Sequence, residues 1–247
     1  MKRVRLKIAY DGTNYCGWQI QPNEVTVEGV INQTLSELLD EKVEVIGASR
    51  TDSGVHADGN YCVFDTDTSI PAEKIAYALN QRLPEDISII KSDEVDSDWH
   101  PRYQDSTKTY EYRIVNREMP DPIRRLYTHF TYSKLDVSAM QKAATYLVGE
   151  HDFASFCSAG AQVESTVREI YSLDVTQNGD EIVVRVTGNG FLYNMVRIIV
   201  GTLLEVGEGK LSPEDIEGIL EAKDREKAGK TAVAKGLKLV EIKYENE

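Results

Sequence analysis

The hydrophobic pattern of this chain changes period in a similar order twice, and that order restricts the fold more than any other feature. Residues 3–10 alternate between apolar and basic or polar residues, which is typical of a half-exposed strand. A helical spacing begins after Thr26, a residue suited to cap a helix. Further strands are predicted over 42–49, 61–66 and 87–95, and a helix over 71–83. The first half therefore has the β-α-β-β-α-β order of a ferredoxin-like domain.

The second half follows a similar plan. Strands are predicted over 107–116, 171–177, 181–187 and 237–244, and helices over 137–148, 191–206 and from Ser212-Pro213 to Ala222. We expect an α+β fold of two ferredoxin-like (RRM-like) halves, residues 1–104 and 105–247. Their sheets are predicted to join into one extended mixed or antiparallel sheet, with helices on one face and a cleft on the other.

Composition and charge narrow the class of protein. The chain has 247 residues, of which 41% are hydrophobic, enough for a sizeable core. It lacks a signal-like or membrane-spanning apolar run, so we expect a soluble cytoplasmic protein with no membrane partner. Three dispersed cysteines indicate neither a disulfide framework nor a zinc site. The formal net charge of −13 argues against a surface that is basic throughout, but leaves room for a local basic cleft.

A loop between two predicted strands, GASRTDSGVHADG at 47–59, carries the residues most indicative of chemistry. Asp52 alone would be typical of a turn, where aspartate hydrogen-bonds its own backbone. Arg50 precedes it by two residues, and Gly54 lets a ligand approach the backbone closely. Because a nearby guanidinium keeps a carboxylate ionised at neutral pH, we predict a nucleophilic or electrostatic role for Asp52.

Arg197 interrupts the run FLYNMVRIIVGTLLEV, which would be apolar on nearly every face of a helix. A buried arginine requires a partner, because an unpaired buried charge costs several kcal/mol. That partner could be any nearby acid in a structural salt bridge, or it could be Asp52 in an active site.

Aromatic and basic residues near these motifs are candidates for nucleic-acid contacts. Tyr110 and Tyr112 share one face of the predicted strand in STKTYEYRIV. Such residues usually pack in a core or across strands, but exposed aromatics on an antiparallel sheet also stack on bases. The candidates for phosphate contacts, with solvated surface as the alternative, are Arg50, Arg102, Lys108 and the Arg124-Arg125 pair.

Motifs for cofactors and metals are missing. The sequence has no GxxxxGK loop, no GxGxxG, no serine nucleophile elbow, no metal-ligand spacing of histidines and no carboxylate cluster for two metals. These absences disfavour a nucleotide cofactor and metal-dependent hydrolysis.

The segments SRTDSGVHADG, STKTYEYRI, GEHDFASF, TVREI, FLYNMVRIIVGTLLEVGEGK and AKGLKLVEIKY, in this order, resemble the tRNA pseudouridine synthase A family. The resemblance extends from residue 8 to Tyr244. It implies a cofactor-free isomerase that converts uridine to pseudouridine at positions 38, 39 and 40 of the tRNA anticodon stem-loop. It also implies a homodimer.

The resemblance assigns roles to the residues singled out above. It implies that Asp52 is the catalytic aspartate, that Tyr110 stacks on the target base and could move its proton, and that Arg197 forms an ion pair with Asp52. The chain departs from the family at Ser53, Val233 and Glu28, where alanine, proline and glutamine are usual. These departures put the substrate range in doubt more than the activity.

Two questions stay open at this point. Asp52 could attack C1′ or C6 of the uridine, or stabilise a glycal intermediate. The alternative function is a catalytically silent tRNA-binding or RNA-folding protein that uses the same cleft. A glycoside hydrolase is disfavoured, because no second catalytic acid accompanies Asp52 at a suitable spacing.

Overall fold

The computed structural model describes residues 1–160 and 163–245, and its elements group into two units. The first unit contains Met1–Ser106 and the C-terminal strand from Lys238 onward, and the second contains Thr107–Leu237. Each unit combines a β-sheet with helices, so the predicted α+β class is confirmed. The division predicted at 104 and 105 places the last strand in the second half. In the structure the residues from Lys238 onward group with the first unit, where they pair with another strand of that unit.

The first unit has a small sheet covered by two helices. Its elements are β1 (Lys2–Tyr10), α1 (Val27–Leu39), β2 (Ile46–Gly47), β3 (His56–Thr66), α2 (Ala72–Asn80), β4 (Ile87–Val95) and β10 (Leu237–Tyr244). The strand order is β4-β1-β3-β10, in which β1 is antiparallel to both of its neighbours and β10 is parallel to β3. The short strand β2 pairs with β3.

The alternation in β1 forms the core of this unit as predicted. Leu6 and Ile8 are fully buried, together with Leu35 of α1 and Leu79 of α2. Helix α1 begins where the sequence indicates, because the Thr26 hydroxyl accepts a hydrogen bond from the Gly29 amide at 3.2 Å. Helix α2 packs on β4 and contacts α1. The result is a sheet with one face buried under helices.

The predicted strand over 42–49 is mostly not a strand. Within the described residues the strand covers only Ile46–Gly47, which pair with β3, and the Ala48 amide adds one hydrogen bond to the Tyr61 carbonyl of β3 at 2.7 Å. The amides of Val43 and Val45 donate instead to the Ser36 hydroxyl (3.0 Å) and the Asn32 side-chain oxygen (2.9 Å), both on α1. Side chains of the helix therefore take hydrogen bonds that a longer strand would have used.

The second unit also combines a sheet with packed helices. Its elements are β5 (Ser106–Asn116), β6 (His129–Thr131), α3 (Val137–Thr145), β7 (Gly149–Asp152), β8 (Val167–Asn178), β9 (Glu181–Gly188), α4 (Met195–Gly207) and α5 (Asp215–Ala222). The antiparallel order is β5-β9-β8-β7, with β6 parallel to β5. Helix α3 packs on β8 and on α4.

Several boundaries in this unit differ from the prediction. The helix expected from Phe191 begins at Met195, because Asn194 has φ +61°, a left-handed conformation that cannot continue an α-helix. The helix expected up to Val148 ends at Thr145. The Leu147 amide donates to the Ala144 carbonyl at 3.1 Å, which closes a turn tighter than that of an α-helix. Strands β6 and β7 were not predicted, since they are only three and four residues long. No helix in the described ranges is long and apolar enough to cross a membrane.

Candidate active site

Asp52 lies at the start of a tight turn between β2 and β3. The Val55 amide donates to the Asp52 carbonyl at 3.1 Å, which closes the turn. Gly54 has φ +76°, a conformation that glycine adopts without the cost other residues bear. The Asp52 side chain is half-buried. The turn therefore presents the carboxylate from a defined backbone position.

A buried hydrogen-bond network holds the residues before the turn. The hydroxyls of Tyr10 and Thr51 lie 2.7 Å apart, and the Asn60 side-chain amide donates to the Tyr10 hydroxyl (3.3 Å) and to the Ser49 carbonyl (2.9 Å). The Ser49 amide donates to the Asn60 side-chain oxygen at 3.2 Å. Since Asn60 donates to Tyr10, the tyrosine proton is available for Thr51. These bonds anchor the residue next to Asp52 to β1 and β3.

The segment after β1 supports the turn from a second side. The Tyr15 carbonyl accepts from the Gly54 amide (3.2 Å) and the Ser53 hydroxyl (3.3 Å), and the Trp18 amide donates to the Thr51 carbonyl (3.0 Å). Gly17 has φ +87°, and a Cβ there would stand 2.7 Å from the Thr51 carbonyl oxygen. The sequence analysis missed this support. The closely spaced glycines and aromatics of YDGTNYCGW are the signal that could have indicated it.

Two of the predicted phosphate-binding arginines lie together beside the turn. Arg102 donates through Nε to the Gly47 carbonyl at 2.7 Å. Partial burial lowers the pKa of the Arg102 guanidinium, and the nearby charge of Arg50 lowers it further. Arg50 is exposed, and within residues 1–160 and 163–245 it has no hydrogen bond or ion pair from its side chain. The two guanidinium groups form a positive patch at the start of the Asp52 loop.

Tyr110 and Tyr112 lie on β5 in the second unit, and both are largely buried. The Tyr110 ring is 8% exposed and meets Phe191 edge to face, with ring centroids 5.3 Å apart. The Tyr112 ring is fully buried, and its hydroxyl donates to the Val233 carbonyl at 2.8 Å. Burial raises the pKa of the Tyr112 hydroxyl. Tyr112 is a core residue, whereas Tyr110 keeps a small part of its ring accessible.

Arg197 belongs to the first turn of α4 and is half-buried. Its Nε donates to the Ala232 carbonyl and its Nη1 to the Asn194 side-chain oxygen, both at 2.8 Å. The Ala232 amide in turn donates to the Arg197 carbonyl at 3.0 Å. The guanidinium is thus fixed in orientation within its own unit. The predicted ion pair with Asp52 joins residues of different units and stays a prediction.

The remaining basic candidates differ in their surroundings. Lys108 is half-buried on β5, opposite Gly188. Arg124 forms ion pairs with Asp121 and Asp180, each at 2.7 Å, and these bonds raise its pKa. Arg125 is exposed. Because two carboxylates already engage Arg124, it is less suited to a phosphate than the sequence suggests.

The residues that depart from the family pattern have structural partners here. The Ser53 hydroxyl donates to Tyr15, as described above, and a Glu28 carboxylate oxygen accepts from the Ile20 amide at 2.9 Å. The Val233 carbonyl accepts from Tyr112. Within the described ranges there is no group of three or more His, Cys, Asp or Glu side chains that could hold a metal ion.

Comparison of the sequence with known proteins identifies a family and several relatives that the chain resembles. The chain matches a family described as tRNA pseudouridine synthase over residues 7–104 and 143–245. A tRNA pseudouridine synthase A from Brevibacillus brevis is 52% identical over 244 residues, covering 99% of this chain and 100% of the relative. The protein of that name from Ruminiclostridium cellulolyticum is 53% identical over 245 residues, with the same coverage. The one from Clostridium acetobutylicum is 49% identical over 244 residues, again with that coverage.

Proposed function

Because this chain belongs to the tRNA pseudouridine synthase family, we propose that it isomerises uridines 38, 39 and 40 in the anticodon stem-loop of tRNA. The resemblance to that family is confirmed, and with it an isomerase that acts on tRNA. The choice of the anticodon stem-loop rests on the sequence motifs. The observation that carries the proposal is a half-buried carboxylate, Asp52, on a turn held from two sides beside a patch of two arginines.

The reaction needs a group that acts at the sugar or the base. The bond between N1 and C1′ breaks, the uracil turns, C5 joins C1′, and a proton leaves C5 while N1 gains one. Product and substrate have the same composition, so no oxidant, reductant or cofactor enters the balance. In the proposal Asp52 is the nucleophile, because an ionised carboxylate near a guanidinium can attack C1′ or C6 or stabilise a glycal intermediate.

Tyr110 and Arg197 complete the proposed catalytic set. Tyr110, which is 8% exposed, would stack on the target base once that base leaves its stack, and its hydroxyl would help remove the C5 proton. Arg197 would pair with Asp52 and offset the cost of its partial burial. In support, Nε and Nη1 of Arg197 are already held by Ala232 and Asn194, so its plane needs no reorganisation to meet a carboxylate.

The proposal extends to partners and location. Arg50, Arg102 and Lys108 would contact phosphates of the RNA. Arg50 is two residues from Asp52 and Lys108 is two residues from Tyr110, and Arg102 is bonded to Gly47 in the Asp52 loop segment. The protein would act as a homodimer in the cytoplasm, where tRNA is its substrate.

The first experiment uses a tRNA transcript tritiated at uridine C5 and follows tritium released to water by the protein without added metal or nucleotide. We expect release from the anticodon stem-loop. Asp52→Asn should abolish it while leaving tRNA binding within about twofold, because the amide keeps the shape of the carboxylate and loses only its charge and nucleophilicity.

A nearby aspartate serves as the control for that variant. Asp58 lies on β3, and its exposed carboxylate pairs with Lys238 at 2.6 Å. Asp58→Asn should release tritium at the wild-type rate. Binding of tRNA with no release by the wild-type protein would favour the catalytically silent RNA-binding function. Normal release by Asp52→Asn would remove the nucleophile from the proposal.

A further inference from the structure

An exposed aromatic stack stands beside the two arginines of the first unit. The ring of Tyr103 is 82% exposed, yet it lies nearly parallel to the half-buried ring of His100, with centroids 4.1 Å apart and an interplanar angle of 16°. Only one face of the Tyr103 ring is used in this contact. The other face is open to a ligand.

A β-turn holds the two rings together. The Tyr103 amide donates to the His100 carbonyl at 3.1 Å, and Pro101 occupies the second position, where its fixed φ suits the turn. The Arg102 amide donates to Nδ1 of His100 at 3.2 Å. The Tyr244 hydroxyl donates to the Pro101 carbonyl at 3.1 Å and fixes the turn to the last strand of the unit. The stack is therefore built into the backbone and does not depend on side-chain contacts alone.

The surroundings of the histidine in the stack favour its neutral form. Burial lowers the pKa of His100, and the charges of Arg102 and Arg3 lower it further. Its Nδ1 accepts the Arg102 amide, which is compatible only with the unprotonated nitrogen. The stack therefore offers an uncharged aromatic face.

The charges around the stack favour an anionic ligand. Arg102 donates to the Gly47 carbonyl and stands close enough to Arg50 for the charge of Arg50 to lower the pKa of the Arg102 guanidinium. Glu28 is the acid that attracts Arg102, but the two form no ion pair within the described part of the chain. Within the described residues no carboxylate pairs with these two adjacent arginines, so an anionic ligand would meet two positive charges in a protein whose net charge is −13.

We propose that the Tyr103–His100 stack is a platform for one unpaired base of the RNA substrate, next to the target uridine, with Arg50 and Arg102 on the adjoining phosphates. An open aromatic face flanked by guanidinium groups is the arrangement that binds single-stranded nucleotides. This inference rests on the proposed function of the Asp52 loop, because Arg102 is bonded to the first residue of that loop segment.

The test compares two substitutions of the exposed ring. Tyr103→Ala should raise the KM for tRNA and the dissociation constant for an anticodon stem-loop RNA about tenfold, with kcat unchanged, because stacking contributes to binding and not to the chemical step. Tyr103→Phe keeps the stacking surface and should stay within about twofold of wild type. Tyr77→Ala is the matched control, since that tyrosine is 68% exposed on α2 of the same unit.

A second measurement identifies the stacked base. Stem-loop RNAs with one abasic nucleotide at a time are bound to wild type and to Tyr103→Ala. At one position we expect the abasic change to weaken binding to wild type about tenfold and to leave binding to the variant unchanged, because the contact is already lost.

Several results would overturn the platform. Equal RNA affinity of Tyr103→Ala and wild type would do so, as would an equal loss in Tyr103→Phe, which would point to the hydroxyl. Conversion of a dimer to monomers by Tyr103→Ala in sedimentation would show that a second copy of the chain covers the ring. Binding does not require turnover, so a wild-type protein that binds RNA but releases no tritium would refute the proposed function and still leave the platform testable.

Discussion

At the scale of single residues, the Asp52 loop depends on a tyrosine that is distant from it in sequence. The Tyr10 hydroxyl lies between the Thr51 hydroxyl at 2.7 Å and the Asn60 amide at 3.3 Å, in a buried environment. Buried polar groups that lose a partner keep the cost of leaving water. The position of Asp52 is therefore linked to the strand on which Tyr10 lies.

Tyr10→Phe tests this link. Removal of the hydroxyl leaves Thr51 and Asn60 each short of one hydrogen bond, so the free energy of unfolding should fall by about 1–3 kcal/mol. Because Thr51 is adjacent to Asp52, kcat for tritium release should fall more than tRNA affinity. Urea unfolding and the tritium assay measure the two effects.

Tyr61→Phe is the comparison variant. Tyr61 is 7% exposed on β3, but its hydroxyl makes no hydrogen bond within the described residues. This substitution should change stability by less than about 0.5 kcal/mol. Equal effects of the two substitutions would mean that the network around Tyr10 is not what holds the loop.

At the scale of elements, helix α4 is crossed closely by the segment over 229–232. The Gly229 amide donates to the Thr202 hydroxyl at 2.9 Å, and a Cβ on Gly201 would overlap the Lys230 carbonyl oxygen. Because Ala232 in the same segment binds Arg197, this crossing also positions the arginine. A glycine in the middle of a helix is thus required by packing and not by backbone conformation.

Gly201→Ala should therefore be strongly destabilising. The added methyl group meets backbone, which cannot rotate away, so we expect a loss of about 3 kcal/mol or more in the free energy of unfolding. Any folded fraction should show reduced turnover, since the 229–232 segment must move away from the helix. Chemical unfolding and tritium release check both effects.

Gly218→Ala, in another helix, should have the opposite effect on the free energy of unfolding. Gly218 lies in α5, and a Cβ there would have no heavy atom within 4 Å. Alanine should stabilise the protein by about 0.5–1 kcal/mol, because it restricts the unfolded chain and favours the helix. If both glycine substitutions behaved alike, packing at Gly201 would not be the cause.

At the scale of the whole molecule, the charge balance opposes RNA binding except where arginines are concentrated. The chain has 41 acidic and 28 basic residues, so its average surface repels phosphate. RNA affinity must then come from a few phosphate contacts, and each contact contributes to the salt dependence through counterion release.

The salt dependence of RNA affinity should show which arginines contact phosphates. Arg50→Gln and Arg102→Gln should each reduce the slope of log affinity against log salt concentration by about 1, the contribution of one phosphate contact. Arg124→Gln should leave the slope unchanged, because Asp121 and Asp180 already engage that guanidinium. Binding isotherms at several salt concentrations measure the slopes. An unchanged slope in the Arg50 and Arg102 variants would exclude them as phosphate contacts.

The sequence by itself determined the elements that depend on local pattern and the family to which the chain belongs. The alternation of β1, the Thr26 cap and the strands over 87–95 and 237–244 follow from side-chain periodicity and capping, which act over a few residues. The family was evident from several motifs that follow one another in a fixed order along the chain.

Only the tertiary structure decided the features that join residues far apart in the chain. Strand β2 is short because side chains of α1 bind the backbone amides of Val43 and Val45 just before it, and α4 begins after Asn194 because that residue is left-handed. The Tyr10 network and the Arg102 bond to Gly47 each link groups more than 40 residues apart. No local pattern encodes such contacts, because hydrogen-bond partners and close backbone approaches are selected by the packed fold as a whole.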